Sequence, residues 1–182
     1  MKWIIIVVGG VIGIALMVVF IGALLPKAHV AKRSARFRQK PAEVFGTVGS
    51  VMTSASWRTD VTKVENLEPN NGRVAWREFS KHGAVSYAAD TVWPPMNGRD
   101  GRLVTRITDR DLPYSGTWTI DVAPDGDGTR VTVTESGEVY NPLFRFVSRY
   151  VMGHTATIDA YLRDLGRHFG QSVEIQDVPP PP

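Results

Sequence analysis

The stretch NPLFRFVSRYVMGHTATIDAYLRDLGRHFG, residues 141–170, decides how the rest of the chain is read. Asn141 is a natural N-cap and Pro142 suits the first helical position, where its missing N–H costs nothing. Leu143, Val147, Tyr150, Val151, Ile158, Tyr161, Leu162, Leu165 and Phe169 then follow in steps of three and four, which draws one apolar stripe along a helix. A helix of roughly 40 Å with a single apolar face is best satisfied by lying across a sheet. Gly153 interrupts its middle and marks a kink or a close approach.

The sheet is expected upstream. Residues 30–39 alternate as a strand, with Ala35 and Phe37 on one face and Arg36 and Arg38 on the other. Pro41 stops that strand and opens a short helix carrying Val44, Phe45 and Val48, although Lys40 is a poor cap for it. Ser54 to Trp57 is read as irregular or as a single turn. Six strands then follow at 60–67, 73–81, 84–93, 102–109, 116–123 and 129–139, separated by turns such as Asn70-Asn71-Gly72 and Asp125-Gly126-Asp127-Gly128. This spacing predicts an antiparallel meander. Residues 171–182, ending in four prolines, are expected to be a disordered tail.

Toward the N-terminus, Trp3 to Leu25 is an uninterrupted uncharged run of 23 residues. As a helix it would reach about 34 Å, enough to cross a bilayer's hydrocarbon core. The run is longer than the apolar region of a signal peptide, and Ile21-Gly22-Ala23 is a poor cleavage site, so a retained transmembrane helix is expected. Residues 26–29 form a short linker, and the folded domain covers 30–170. Only Lys2 precedes the helix, whereas Lys27, Lys32, Arg33, Arg36, Arg38 and Lys40 follow it. The positive-inside rule therefore predicts a single-pass protein of the cell (inner) membrane with its domain in the cytoplasm. Gly9 and Gly13 form a G-x-x-x-G pair, a contact through which two copies could dimerise, or simply two of the glycines common in membrane helices.

Charge and composition exclude several functions. The chain has 182 residues, 21 Lys+Arg, 18 Asp+Glu and no Cys. The seven basic residues of 1–40 stand without an acid, and the remainder carries a net −4, so the basic character belongs to one end and not to a face that tracks nucleic acid. Cys nucleophiles, Cys-ligated zinc, iron–sulfur clusters and disulfides are excluded. His29, His82 and His168 are scattered, and no pair has metal-ligand spacing; no phosphate loop, dinucleotide fingerprint or nucleophile elbow is present. No metal and no cofactor are expected.

The order of strand, Pro-started helix, Trp, meander and long terminal helix resembles the SRPBCC superfamily, which includes START-related lipid-transfer domains, polyketide cyclases and aromatases, and birch-pollen-allergen-like carriers. The residues that carry the resemblance are Ser34-Ala35-Arg36-Phe37 before Pro41-Ala42-Glu43-Val44-Phe45, then Trp57, then 129–135, then Pro142-Leu143-Phe144 through 161–165. The resemblance implies an α+β helix-grip fold, a curved antiparallel sheet wrapped around the long C-terminal helix, with a hydrophobic cavity between them. It carries over a cavity location and no catalytic residue.

Candidate residues follow from that placement. His154 falls on the helical stripe between Val151 and Ile158, where it is either an acid–base group or a hydrogen-bonded core His. Glu78 shares a strand face with Val74 and Trp76, and Glu135 with Val131 and Val133; inward-facing, each would be desolvated and suited to proton transfer, and outward-facing, neither would. Trp76, Tyr87, Trp93, Trp118, Tyr150, His154 and Ile158 are the expected cavity lining, with Tyr114 a further aromatic. Arg106 is either a partner for a ligand carboxylate or an exposed strand Arg. The first expectation is a membrane-anchored domain that binds a hydrophobic small molecule or lipid. The alternatives are a cyclase- or dehydratase-like enzyme using His154 with Glu78 or Glu135, and a non-catalytic membrane interaction protein whose cavity its own tryptophans fill.

Overall fold

In the computed structural model, residues 2–96, 99–153 and 155–179 are described. The N-terminal run forms α1 (Lys2–Leu24), exposed along nearly its whole length and long and apolar enough to cross a membrane. Eight strands follow in one antiparallel sheet: β1 (Ala28–Phe37), β2 (Lys63–Asn70), β3 (Arg73–Ser80), β4 (Gly83–Trp93), β5 (Gly101–Ile107), β6 (Tyr114–Asp125), β7 (Gly128–Val139) and β8 (Ile175–Asp177). Their order across the curved sheet is β2-β3-β4-β5-β6-β7-β1-β8. The meander is thus β2 to β7 in sequence order, and β1 returns to lie beside β7, Ala28 opposite Glu138 and Phe37 opposite Thr129. α2 (Pro41–Gly49) and a 3-10 turn (Val51–Ser56) connect β1 to β2. As the sequence suggested, Lys40 offers α2 no side-chain cap. Residues 175–177, within the stretch expected to be a disordered tail, instead pair with Arg33 to Ala35 as β8.

The core lies between the inner face of this sheet and the C-terminal helix. Ala31, Ala35, Phe37, Leu103, Ile120, Val122, Val131 and Val133 supply the sheet side, and Ile158, Leu162 and Leu165 supply the helix side at 0% exposure. Burying each of those three helical side chains is worth about 1.5–3 kcal/mol. Arg33 ties the start of that helix to β1, donating to Asp159 Oδ1 at 3.1 Å and to Thr155 Oγ1 at 3.1 Å.

The single long helix expected over 141–170 is two helices. Asn141 caps the first as expected, accepting from the Leu143 N–H at 2.9 Å and the Phe144 N–H at 3.4 Å, with Pro142 in the first turn. This α3 (Pro142–Val147) runs into a π turn, Ser148–Met152. Gly153 then takes φ +75°, a left-handed conformation that side chains with a Cβ resist, and α4 (Ala156–His168) starts in a new direction. Of the two, α4 is the one that packs into the core over the sheet, where α2 also contributes Val44, Phe45 and Val48. α3 packs against α1, so closely that a Cβ at Gly22 would stand 1.9 Å from the Pro142 carbonyl oxygen. Arg145 seals the contact, donating to the carbonyls of Leu25 at 2.8 Å, Tyr140 at 3.3 Å and Ala23 at 3.4 Å. It thereby satisfies carbonyls that the last turn of α1 leaves without helical partners.

Candidate functional site

Strand alternation places the polar groups of the inner face. On β7, Glu135 follows Val131 and Val133 inward, and its β6 neighbour Trp118 is on the same face. On β3, Trp76 and Glu78 point inward opposite Tyr87 and Val85 of β4. Both glutamates singled out from the sequence therefore face the helix side. Neither is a lone carboxylate. Glu78 accepts the Trp76 indole N–H at 3.1 Å and Arg58 at 2.8 Å, and Arg58 also holds Asp60 at 2.8 Å. Glu135 accepts the Trp118 indole N–H at 2.9 Å and meets His29 Nε2 at 3.2 Å. Side-chain exposures of 14% for His29 and 20% for Glu135 leave that pair within reach of solvent. Gly137 makes room for it, since a Cβ there would come within 2.5 Å of the His29 ring.

Tyr161 of α4 links the two clusters. Its ring meets Trp118 edge-on at 5.5 Å and Trp57 at 5.2 Å, and the Arg58 guanidinium sits 5.6 Å from its centroid. Tyr87 stacks on Trp76 at 5.6 Å. The loop bearing Arg58 is held to α4 by Asp164, only 2% exposed, which accepts the Thr59 N–H at 2.6 Å and its hydroxyl at 2.8 Å. Desolvation pulls the Arg58 pKa down, but the fields of Glu78 and Asp60 and the Asp60 hydrogen bond outweigh it, and the guanidinium is held firmly charged. Burial pushes the Tyr161 phenol well above its ordinary value; Arg58 lowers it by less and Glu78 raises it further. Burial, then Glu78, pushes Tyr87 the same way.

These shifts have an alkaline consequence. An unfolded phenol ionises near pH 10 while the buried ones keep their protons, so stability present below about pH 10 falls as the pH rises beyond it. Urea midpoints followed from about pH 8 to pH 11 are expected to drop less in Tyr87→Phe/Tyr161→Phe than in the native chain; parallel curves would contradict the assignment.

The remaining sequence candidates are scattered. Ile158 is buried in the core beside these aromatics. Trp93, expected in the cavity lining, is not on the inner face: it is 62% exposed on the outer one, opposite Arg102. The cause is a bulge at Asp90, where Ala89 pairs with Thr105 but Thr91 pairs with Val104, so every later residue of β4 changes sides. Arg106 is on the outer face too, donating to Asp90 at 3.1 Å. Tyr150 is 60% exposed in the π turn, beside the ends of β1 and β7 and not under α4. His154 lies outside the described residues. No group of three or more metal-ligating side chains occurs among the described residues. Arg58, Asp60, Trp57 and His29 complete the site without having been singled out as its members. The sequence presents Trp57 for the fold and as one of the tryptophans that would fill the cavity, and Tyr161 for the helical stripe and the resemblance.

A family model described as polyketide cyclase / dehydrase and lipid transport matches residues 28–169. The chain belongs to that family. No curated protein matches it. Among solved structures, a hypothetical protein from Helicobacter pylori superposes with a TM-score of 0.63 at 9% identity, covering 77% of this chain and 87% of that one. A START superfamily protein from Mycobacterium smegmatis gives 0.57 at 15% identity, over 77% and 96%. Norcoclaurine synthase from Thalictrum flavum, in complex with a transition-state analogue, gives 0.58 at 12%, over 78% and 93%. At these identities the likeness establishes the fold, which is the helix-grip fold of the polyketide cyclase and START proteins, and leaves the ligand to the site itself.

Proposed function

We propose that this chain is a membrane-anchored member of the family that binds a hydrophobic small molecule or lipid between the sheet and α4, with its domain on the cytoplasmic side. One observation carries the reading: the break at Gly153 turns α3 away, so that α4 covers only part of the inner face and Tyr87, Thr105, Ile107 and Trp118 stay partly accessible there. Aromatic surface with Glu135–His29 at one side and Glu78–Arg58 at the other suits an apolar body with a polar end. α1 supports the anchor by its length and apolarity.

The test is native mass spectrometry of the detergent-solubilised full chain, with organic extraction. The full chain is needed because Arg145 of the domain donates to the Ala23 and Leu25 carbonyls. A discrete extractable mass is expected, and Trp118→Ala is expected to reduce its retention about tenfold, the loss of one aromatic wall. A clean apo mass, unchanged after challenge with lipids and polyketides, would favour the filled-core interaction protein.

The His29–Glu135 contact favours a second reading, a cyclase- or dehydratase-like enzyme. His29 and Glu135 pair an imidazole, which can carry a proton, with a carboxylate that is 20% exposed, whereas Glu78 is held by Arg58, a guanidinium that gives up no proton. Turnover that survives Glu135→Gln would remove this pair from any such mechanism.

A further inference from the structure

A cleft of about 380 Å³ lies where the end of α1 meets β1, β7 and the π turn, bordering the sheet–helix site at His29. Three cations line it: Lys27, Arg145 and Arg149. None of the ion pairs formed among the described residues includes any of them. Arg145 is the unusual member. It is 8% exposed, and among the described residues all its hydrogen-bond acceptors are neutral carbonyls and its Nε has no acceptor. The negative end of the α1 dipole compensates part of that charge. A buried cation still calls for an anion.

The surroundings say which kind of anion. The apolar span of α1 ends at Leu24, and Leu25 to Lys27 border the cleft, which sets it at headgroup depth if α1 spans a bilayer. α3 and the π turn extend the apolar surface of α1 sideways, with Leu143, Phe144, Tyr150 and Val151 all exposed. Such a band, contiguous with a membrane helix and studded with cations, matches an interfacial segment seated at the boundary of headgroups and acyl chains. We infer that the cleft binds the phosphate of an anionic phospholipid, with Arg145, Arg149 and Lys27 as donors and the exposed apolar side chains of 143–151 against the acyl chains. The inference rests on the reading of α1 as a membrane anchor.

The experiment uses the full chain in nanodiscs of phosphatidylcholine, alone or with phosphatidylglycerol, released into detergent for native mass spectrometry. Phosphatidylglycerol is expected to be retained about tenfold more than phosphatidylcholine. Lys27→Gln/Arg149→Gln, which changes two exposed side chains, is expected to bring the ratio near one. Equal retention of the two lipids by the native chain, or an unchanged ratio in the variant, would overturn the proposal. Displacement of the lipid by millimolar inorganic phosphate, with equal phosphate binding by delipidated chain, would make this a free-phosphate site and overturn it as well. Carbonate-resistant flotation of vesicles carrying the chain separates the two layers of the argument: failure to float removes the anchor and the lipid site together, and flotation without headgroup preference removes the lipid site alone.

Discussion

Arg58→Ala is expected to destabilise the folded chain by about 3–5 kcal/mol, the range for removing one partner of a buried ion pair. The side chains of Arg58 and Glu78 are 14% and 10% exposed, so the Glu78 carboxylate would be left desolvated with only the Trp76 indole as donor. The same change removes the guanidinium from the Tyr161 ring and frees Asp60. Arg58→Met/Glu78→Leu is expected to lose less than either single truncation, because it leaves no unpaired charge behind. Urea unfolding followed by tryptophan fluorescence checks both. Losses that simply add in the double variant would show that the two side chains do not act as a unit.

Gly22→Val is expected to detach α3 from α1. The atoms that its Cβ would meet, the Pro142 carbonyl oxygen at 1.9 Å and carbon at 2.7 Å, are backbone and have no rotamer with which to retreat. Separation of the helices also breaks the Arg145 bonds to Ala23 and Leu25. Amide exchange across 142–152 should accelerate at least tenfold, which corresponds to about 1.4 kcal/mol of lost local protection. Gly9 and Gly13 have nothing within 4 Å of an added Cβ, so Val at either position should leave that exchange unchanged. Equal exchange in Gly22→Val and the native chain would mean that the contact does not hold α3 in place.

The strand alternation and turn residues made the architecture readable. The meander, the Pro-started helix and the inward phase of Glu78 and Glu135 all follow from period-two alternation anchored on Trp76, Val131 and Val133. Two features escaped for physical reasons. The bulge at Asp90 inserts one residue without any mark in composition, and so moved Trp93 from the inner face to the outer one. The stripe from Leu143 to Phe169 keeps helical spacing across Gly153, but periodicity does not report what each half covers; α3 and the π turn pack beside α1 with Leu143, Tyr150 and Val151 left exposed, and the second half covers the sheet. Arg58 and His29 were hidden because they come from a loop and a strand start, and it is the fold that brings them to Glu78 and Glu135. The Gly-x-x-x-Gly pair drew attention to Gly9 and Gly13, while the close helix contact within the chain is made at Gly22.

The pairing of β1 with β7 orders events during synthesis. Ala28 finds its partner only at Glu138 and Phe37 at Thr129, so β1 leaves the ribosome with about 100 residues still to be made before it has a neighbour on that side. At roughly 5–20 residues per second, that wait lasts on the order of 5–20 s. On the proposal that α1 is an anchor, it would meet the insertion machinery while everything behind it is still unfolded, and the Lys27 to Lys40 charges would be read from an extended chain. Those same charges, Lys32, Arg33, Arg36 and Arg38 among them, discourage the waiting strand from joining another nascent copy.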